Sequence, residues 1–297
     1  MSPALLLCLA LCLLAAAPAL AQSSPGKAEP PEEPDFFFLT GGPYTQKKNS
    51  PQIIWANQWF RSADGGVHVR EYVGAGRFEW GLTDNLEADF EFGALAARER
   101  LLGATVFSES GADDLLVGVR YRLLNERSAP FTLTTGPQLI APIASRRGLG
   151  TGKTSYAWDT AAAKDWGGPV FLVASLNLNV TPDVPALPDG TGPRLDLSAV
   201  SWAAALGWRA LERPRADGAH HDIHVLFECG GTREDEIDSG TRVRSTPVLF
   251  SPGLRYGFLS RAGALTEIGF AVPIGLNRSA PDWGLILQIQ HEWPSLF

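Results

Sequence analysis

RFEWGLTDNLEADFEF, residues 77–92, is a hairpin written in period two. Phe78, Trp80 and Leu82 share one face, with Arg77 and Glu79 on the other. After Thr83-Asp84-Asn85 the return strand sets Leu86, Ala88, Phe90 and Phe92 against Glu87, Asp89 and Glu91. Successive side chains of a strand point to opposite faces, whereas a helix of this composition would scatter its carboxylates around its circumference. The stretch predicts two antiparallel strands, each apolar on one face and charged on the other.

The same parity recurs in both directions along the chain. Val117, Val119, Tyr121 and Leu123 alternate with Gly118, Arg120 and Arg122, and Val170 to Leu178 alternates with Ser175, Asn177 and Asn179. Val225 and Phe227 flank His224 and Glu228, Leu254 and Tyr256 flank Arg255, and Ile268 and Phe270 follow Glu267. Leu195 to Ala210 changes phase near Trp202, which reads as a bulge. Twelve strands follow, near 52–61, 67–82, 86–95, 114–124, 130–142, 155–164, 169–180, 194–210, 222–231, 243–258, 264–275 and 283–293.

A mean hydropathy of −0.02 and 45% hydrophobic residues resemble a soluble chain. Yet a transmembrane barrel averages to neutral because lipid-facing apolar and lumen-facing polar residues alternate. No stretch after the first twenty-odd residues approaches the roughly 18–20 apolar residues of a membrane helix. An all-β, antiparallel, up-and-down transmembrane barrel of about twelve strands is therefore expected over 51–297. A soluble β-sandwich is the competing architecture, since alternation alone does not require lipid.

Residues 1–21 have an apolar run, Ala4 to Ala17, and a small-residue exit at Pro18-Ala19-Leu20-Ala21, the layout of a secretory signal without a basic n-region. Cys8 and Cys12 lie inside that run, too early for a lipidated start. Cleavage before Gln22 would leave 276 residues (297 minus 21), a net charge of −7 and Cys229 as the only cysteine, which excludes an intramolecular disulfide. Residues 22–50, rich in Pro and charge, read as a flexible lead-in, although Phe36-Phe37-Phe38 offers something to tuck into a barrel mouth. The charge balance gives no sign of nucleic-acid binding.

An even strand count puts both termini at one end, and outer-membrane barrels keep their short turns on the periplasmic side. The predicted periplasmic turns are 83–85, 125–129, 165–168, 211–221 and 259–263; the predicted outer loops include the longer 96–113, 143–154, 181–193 and 231–242. Trp55, Trp59, Trp80, Trp158, Trp208, Trp283 and Trp293 near strand ends suit interfacial girdles. The terminal Phe297 is the residue type that barrel-assembly machinery reads on a last strand. Location in the bacterial outer membrane, in contact with its lipid, is expected.

Residues 78–92 (FEWGLTDNLEADFEF), 114–124 (DLLVGVRYRLL), 150–180 (GTGKTSYAWDTAAAKDWGGPVFLVASLNLNV), 252–256 (PGLRY) and Pro281-Asp282-Trp283 resemble, in order, the MetA-pathway phenol-degradation, transporter-like outer-membrane family. The resemblance implies a barrel that passes small molecules, hydrophobic or aromatic ones included, and supplies no catalytic residues.

Three motifs invite other chemistry. Gly148 to Thr154 suggests a phosphate loop, but Arg147 stands where the first glycine of that spacing belongs and no helix pattern follows. His220-His221-Asp222-Ile223-His224 holds metal donors, yet on a strand Asp222 and His224 face away from His221. His68, His224 and His291 are available to an esterase barrel, but no serine sits in a nucleophile motif. No catalytic, cofactor or metal site is expected.

What remains is the charged face: Arg77, Glu79, Glu87, Asp89, Glu91, Arg120, Arg122, Glu228, Arg255 and Glu267. These lumen-lining residues either pair to stiffen the interior or form a constriction that filters solutes. Twelve strands about 4.8 Å apart, tilted about 40°, give a backbone radius of roughly 12 Å and a bore of about 10 Å or less. A passive channel for small molecules is the expected function. The alternative is a closed structural or adhesion barrel whose outer loops, notably 96–113, bind a partner.

Overall fold

The computed structural model describes residues 36–101, 104–126, 128–144, 152–187, 192–214, 219–238 and 240–294. The signal-like residues 1–21, the lead-in 22–35, most of the glycine-rich motif 148–154 and Phe297 lie outside them.

The strands are β1 (Pro51–Asp64), β2 (Val67–Thr83), β3 (Leu86–Leu101), β4 (Ala104–Ala112), β5 (Leu115–Leu124), β6 (Thr132–Ala141), β7 (Ser155–Asp165) and β8 (Val170–Pro185). They continue with β9 (Arg194–Pro214), β10 (His220–Asp238), β11 (Thr241–Ser245), β12 (Val248–Leu259), β13 (Leu265–Ala271), β14 (Ile274–Gly275) and β15 (Trp283–Glu292). Twelve of them form a closed antiparallel barrel. β1 pairs with β2 on one side and with β15 on the other, from Gln52↔Glu292 to Arg61↔Trp283, so first and last strands seal the sheet. Closure leaves no unpaired edge, which disposes of the sandwich.

The remaining three strands extend the wall at one end. β4 pairs with β3, β11 with β10, and β14 with β12 and β15. Residues 96–113 and 231–242, expected as loops, are mostly tall hairpins there. Alternation weakens in them because neither face meets a uniform medium above the apolar band. At the other end the strands join by short turns such as Asp84-Asn85, and both termini of the barrel lie there.

Alternation has the expected sense. Phe92, Tyr121, Trp158, Leu178, Trp208, Ile268 and Trp283 stand outward and exposed, while Glu87, Asp89, Glu228 and Glu267 point inward and are fully buried. The phase change near Trp202 is absent. Trp202 pairs continuously with Leu176 and Gly231, and Leu195 and Leu197 turn their apolar side chains inward above the charged zone. The irregularity of β9 falls at Ala210, skipped between Ile223↔Leu211 and His224↔Arg209.

Candidate functional site in the barrel lumen

The lumen is occupied by the chain itself. Residues 36–50 run from mid-lumen to the turn end and pass into β1 through a tight turn, where Asn49 takes a left-handed φ of 61°. Asn tolerates that region through local side-chain hydrogen bonding. Asn49 N–H donates to Gly81 O at 2.7 Å and Gly81 N–H to Ser50 O at 3.2 Å, which ties this turn to the end of β2. The flexible lead-in expected for 22–50 is thus not seen over 36–50. The physical reason is the triplet Phe36-Phe37-Phe38, whose rings leave water for an apolar patch on the inner wall.

That patch comprises Ala163, Phe171, Val173, Ala205, Leu226, Ala271 and Ile286. Phe37 meets Phe171 edge-on at 6.3 Å, and Phe36 meets Phe38 at 5.4 Å. Opposite them the wall is hollowed. A Cβ added at Gly253 would stand 2.5 Å from the Phe38 ring, and one at Gly269 would stand 2.7 Å from the Phe36 ring. Fully burying a Phe side chain contributes about 1.5–3 kcal/mol, so the triplet is a substantial anchor.

Polar anchoring follows. The Glu228 carboxylate accepts three successive backbone N–H groups, from Phe38 at 2.7 Å and from Leu39 and Thr40 at 2.8 Å. Gly41 N–H donates to Ser175 Oγ at 3.2 Å, and Gln46 N–H to Glu87 Oε2 at 2.7 Å. Arg120 Nη1 donates to Gly42 O at 2.8 Å, the Thr134 hydroxyl to Pro43 O, and Arg122 Nη2 to Thr45 O at 3.4 Å and Asp84 O at 2.6 Å.

All ten residues expected to line the lumen face inward, and the structure divides most of them between two ion clusters. In one, Arg120 bridges Glu87 and Glu79, the latter at 3.3 Å, while Arg77 reaches Glu79 at 3.0 Å and Asp89 at 3.1 Å. Glu91 is the register partner of Arg77. In the other, Arg255 holds Asp222 at 2.8 Å and Glu267, and Gln290 donates to Glu267 at 2.8 Å. Glu228 and Arg122 instead hold the N-terminal segment.

Several lumen residues were missed by the sequence reading. Asp222 and His224 share the inward face as their parity requires, but Arg255 already lies between them, with Nη1 2.7 Å from His224 Nδ1. A cation is thus supplied by the protein where a metal would sit, and no group of three or more metal-binding side chains is found among the described residues. His221 points outward against the Tyr256 hydroxyl at 2.5 Å. Arg209 pairs with Asp165, donates to Gly168 O at 2.8 Å and lies 4.9 Å from the centre of the Phe171 ring. A count of inward charges along each strand would have found Arg209 and Asp222. The docking of residues 36–50 was signalled only by three Phe in a segment otherwise too polar to fold.

No family profile matches the chain, and no curated protein sequence does. Solved structures do. An outer membrane channel from Pseudomonas putida F1 is 15% identical, with a TM-score of 0.57 over 92% of this chain and 99% of that one. The β domain of the Bordetella autotransporter BrkA is 12% identical, with a TM-score of 0.51 over 82% and 99%. At such identities the likeness is one of fold: this chain has the closed antiparallel twelve-stranded barrel found in outer-membrane proteins.

Proposed function

We propose that the protein is a passive outer-membrane channel for small molecules, hydrophobic or aromatic ones included, whose lumen is closed at rest by residues 36–50. The observation that carries this reading is the nature of the obstruction. Over 36–46 it is held by hydrogen bonds to wall side chains and by edge-on rings and forms no strand pairing inside the barrel, so that stretch can leave without breaking the wall. With it gone, the path is lined by the two ion clusters, which suits small polar or amphipathic solutes more than bulk hydrophobic ones. The outward apolar face supports lipid contact, and the short-turn rule puts the termini on the periplasmic side. The similar fold of a protein described as an outer membrane channel, and the resemblance to MetA-pathway transporter-like proteins, support the same class. Assembly through Phe297 is part of the reading.

Catalysis is not part of it. His224 is engaged with Arg255 and Asp222, while His68 and His291 sit on the outward face, away from any enclosed substrate site. A sealed lumen also suits the alternative, a closed barrel that binds a partner through its tall loop-end hairpins, and one experiment separates the two. Full-length protein and a variant lacking residues 36–46 are compared in planar bilayers after a heat-shift check of barrel closure. A channel predicts brief, rare openings in the first and sustained conductance in the second. Two silent, correctly folded proteins would leave only the structural barrel.

A further inference from the structure

The outer wall carries a row of arginines that the channel reading does not use. Arg61 on β1, Arg70 on β2 and Arg98 on β3 are direct register partners, Arg61↔Arg70 and Arg70↔Arg98. All three face outward and are exposed. His68↔Arg100, one outward pair further from the turns, adds to the row. Like charges directly opposite one another on one sheet face are destabilising. No carboxylate pairs with these arginines among the described residues. The repulsion calls for an anion that the chain does not provide.

Their height says which anion. Outward positions of β2 between Trp80 and Arg70 are Phe78, Gly76, Gly74 and Tyr72, all uncharged. On β3, Phe90, Phe92, Ala94 and Ala96 precede Arg98. On β1, Ile53, Trp55, Asn57 and Trp59 precede Arg61. Ten residues at about 3.3 Å each, tilted about 40°, rise roughly 25 Å, the height of the apolar band of an outer-membrane barrel. Three neighbouring strands therefore change from uncharged to Arg at the far edge of the band. Trp59, Tyr72 and Trp283 mark the interface there, and a groove of about 560 Å³ lies at this level, lined in part by those three aromatics and the three arginines.

Resting on the membrane orientation proposed above, we infer that Arg61, Arg70 and Arg98 bind the phosphates of a glycolipid headgroup in the outer leaflet. Guanidinium groups match phosphate oxygens in paired donor geometry, and the aromatic residues just below pack against the first acyl carbons. A lipid held across β1, β2 and β3 would also brace the strands next to the β1–β15 seam.

The test uses full-length protein in detergent, with the heat shift on gels as the check that each variant forms a closed barrel. A diphosphorylated glucosaminyl glycolipid is added, and its retention is read by native mass spectrometry beside the same lipid stripped of phosphate and beside inorganic phosphate. Wild type is expected to hold the phosphorylated lipid about ten-fold better than the stripped one, as charge-assisted bonds imply. R61Q/R70Q/R98Q is expected to lose that preference, while R278Q, an exposed loop-end arginine outside the row, keeps it. Equal retention by wild type and the triple variant would overturn the inference, and so would inorganic phosphate displacing the lipid at equal concentration. A barrel that conducts yet ignores headgroup phosphate sinks this inference alone; protein with no heat shift sinks the membrane reading as well.

Discussion

The Glu228 side chain is the most exposing place to perturb the protein, because one fully buried carboxylate accepts three consecutive backbone N–H groups. In Glu228→Ala the docked segment keeps its rings in place, but all three N–H groups lose their acceptor. Leaving a buried N–H unsatisfied costs about 1–3 kcal/mol, so the gross penalty is about 3–9 kcal/mol. Two effects oppose it. Water can enter the space vacated by the side chain, and the wild-type carboxylate must shed its own water on docking, a cost that Ala avoids. A net loss of about 3 kcal/mol is the working figure, which shifts the docked-to-undocked ratio by about 100-fold. Glu228→Gln keeps an acceptor oxygen for two of the three donors and is expected to fall between wild type and Ala. The assay is open probability in planar bilayers, with trypsin cleavage at Lys47 or Lys48 as a second readout of an undocked segment. If Ala leaves both readouts within about two-fold of wild type, the reasoning about N–H satisfaction is refuted. If Gln opens the channel as far as Ala, charge and not the acceptor count holds the segment.

Other perturbations reach the same structure from different sides. Gly253→Leu places a side chain where the Phe38 ring lies, at a position whose nearest neighbours are side chains and not wall backbone, so it should raise conductance with the heat shift unchanged. Arg120→Met leaves Glu87 and Glu79 buried without their shared cation, and breaking such a pair from one side costs about 3–5 kcal/mol; the temperature of the heat shift should drop, and adding Glu87→Gln should recover part of it. At the loop end, above the apolar band, the Ser198 hydroxyl and then Arg244 hold the Asp235 carboxyl below its usual range. A depressed carboxyl stabilises the fold above its unfolded value and loses that contribution only as pH falls through the lower folded value. Protection of the amides across residues 232–245, taken relative to their intrinsic exchange at each pH, should therefore hold from pH 7 to about 4 and fall below it, whereas Asp235→Asn should show weaker protection throughout.

The barrel was legible because its wall separates two solvents, and parity along β2, β3, β5 and β8 records that separation residue by residue. The inward charges were legible for the same reason. Their partners were not: Arg255 meets Asp222 and Glu267 through registers that bring together residues far apart in sequence. Arg209 meets Asp165 across β8, the strand that lies between theirs. The tall hairpins at the loop end escaped because neither of their faces meets a uniform medium above the apolar band, so nothing forces their residues to alternate. Phe36 to Phe38 hinted at docking, three rings too costly to leave in water, but the polar residues around them pointed to a flexible lead-in, and Gly253 and Gly269, which keep their place open, lie some two hundred residues away.

Because Ser50 runs straight into β1, the segment that fills the lumen is a tethered ligand. It cannot be diluted, and its effective concentration at Glu228 is on the order of millimolar. A solute that carries a single hydrogen-bond donor competes poorly against that, however well it fits. Displacement favours molecules that replace several of the segment's contacts at once, a flat ring for the aromatic patch together with donors for the carboxylate, or solutes present at very high local concentration. The selectivity of the barrel would then be set less by the width of its bore than by competition with its own tail.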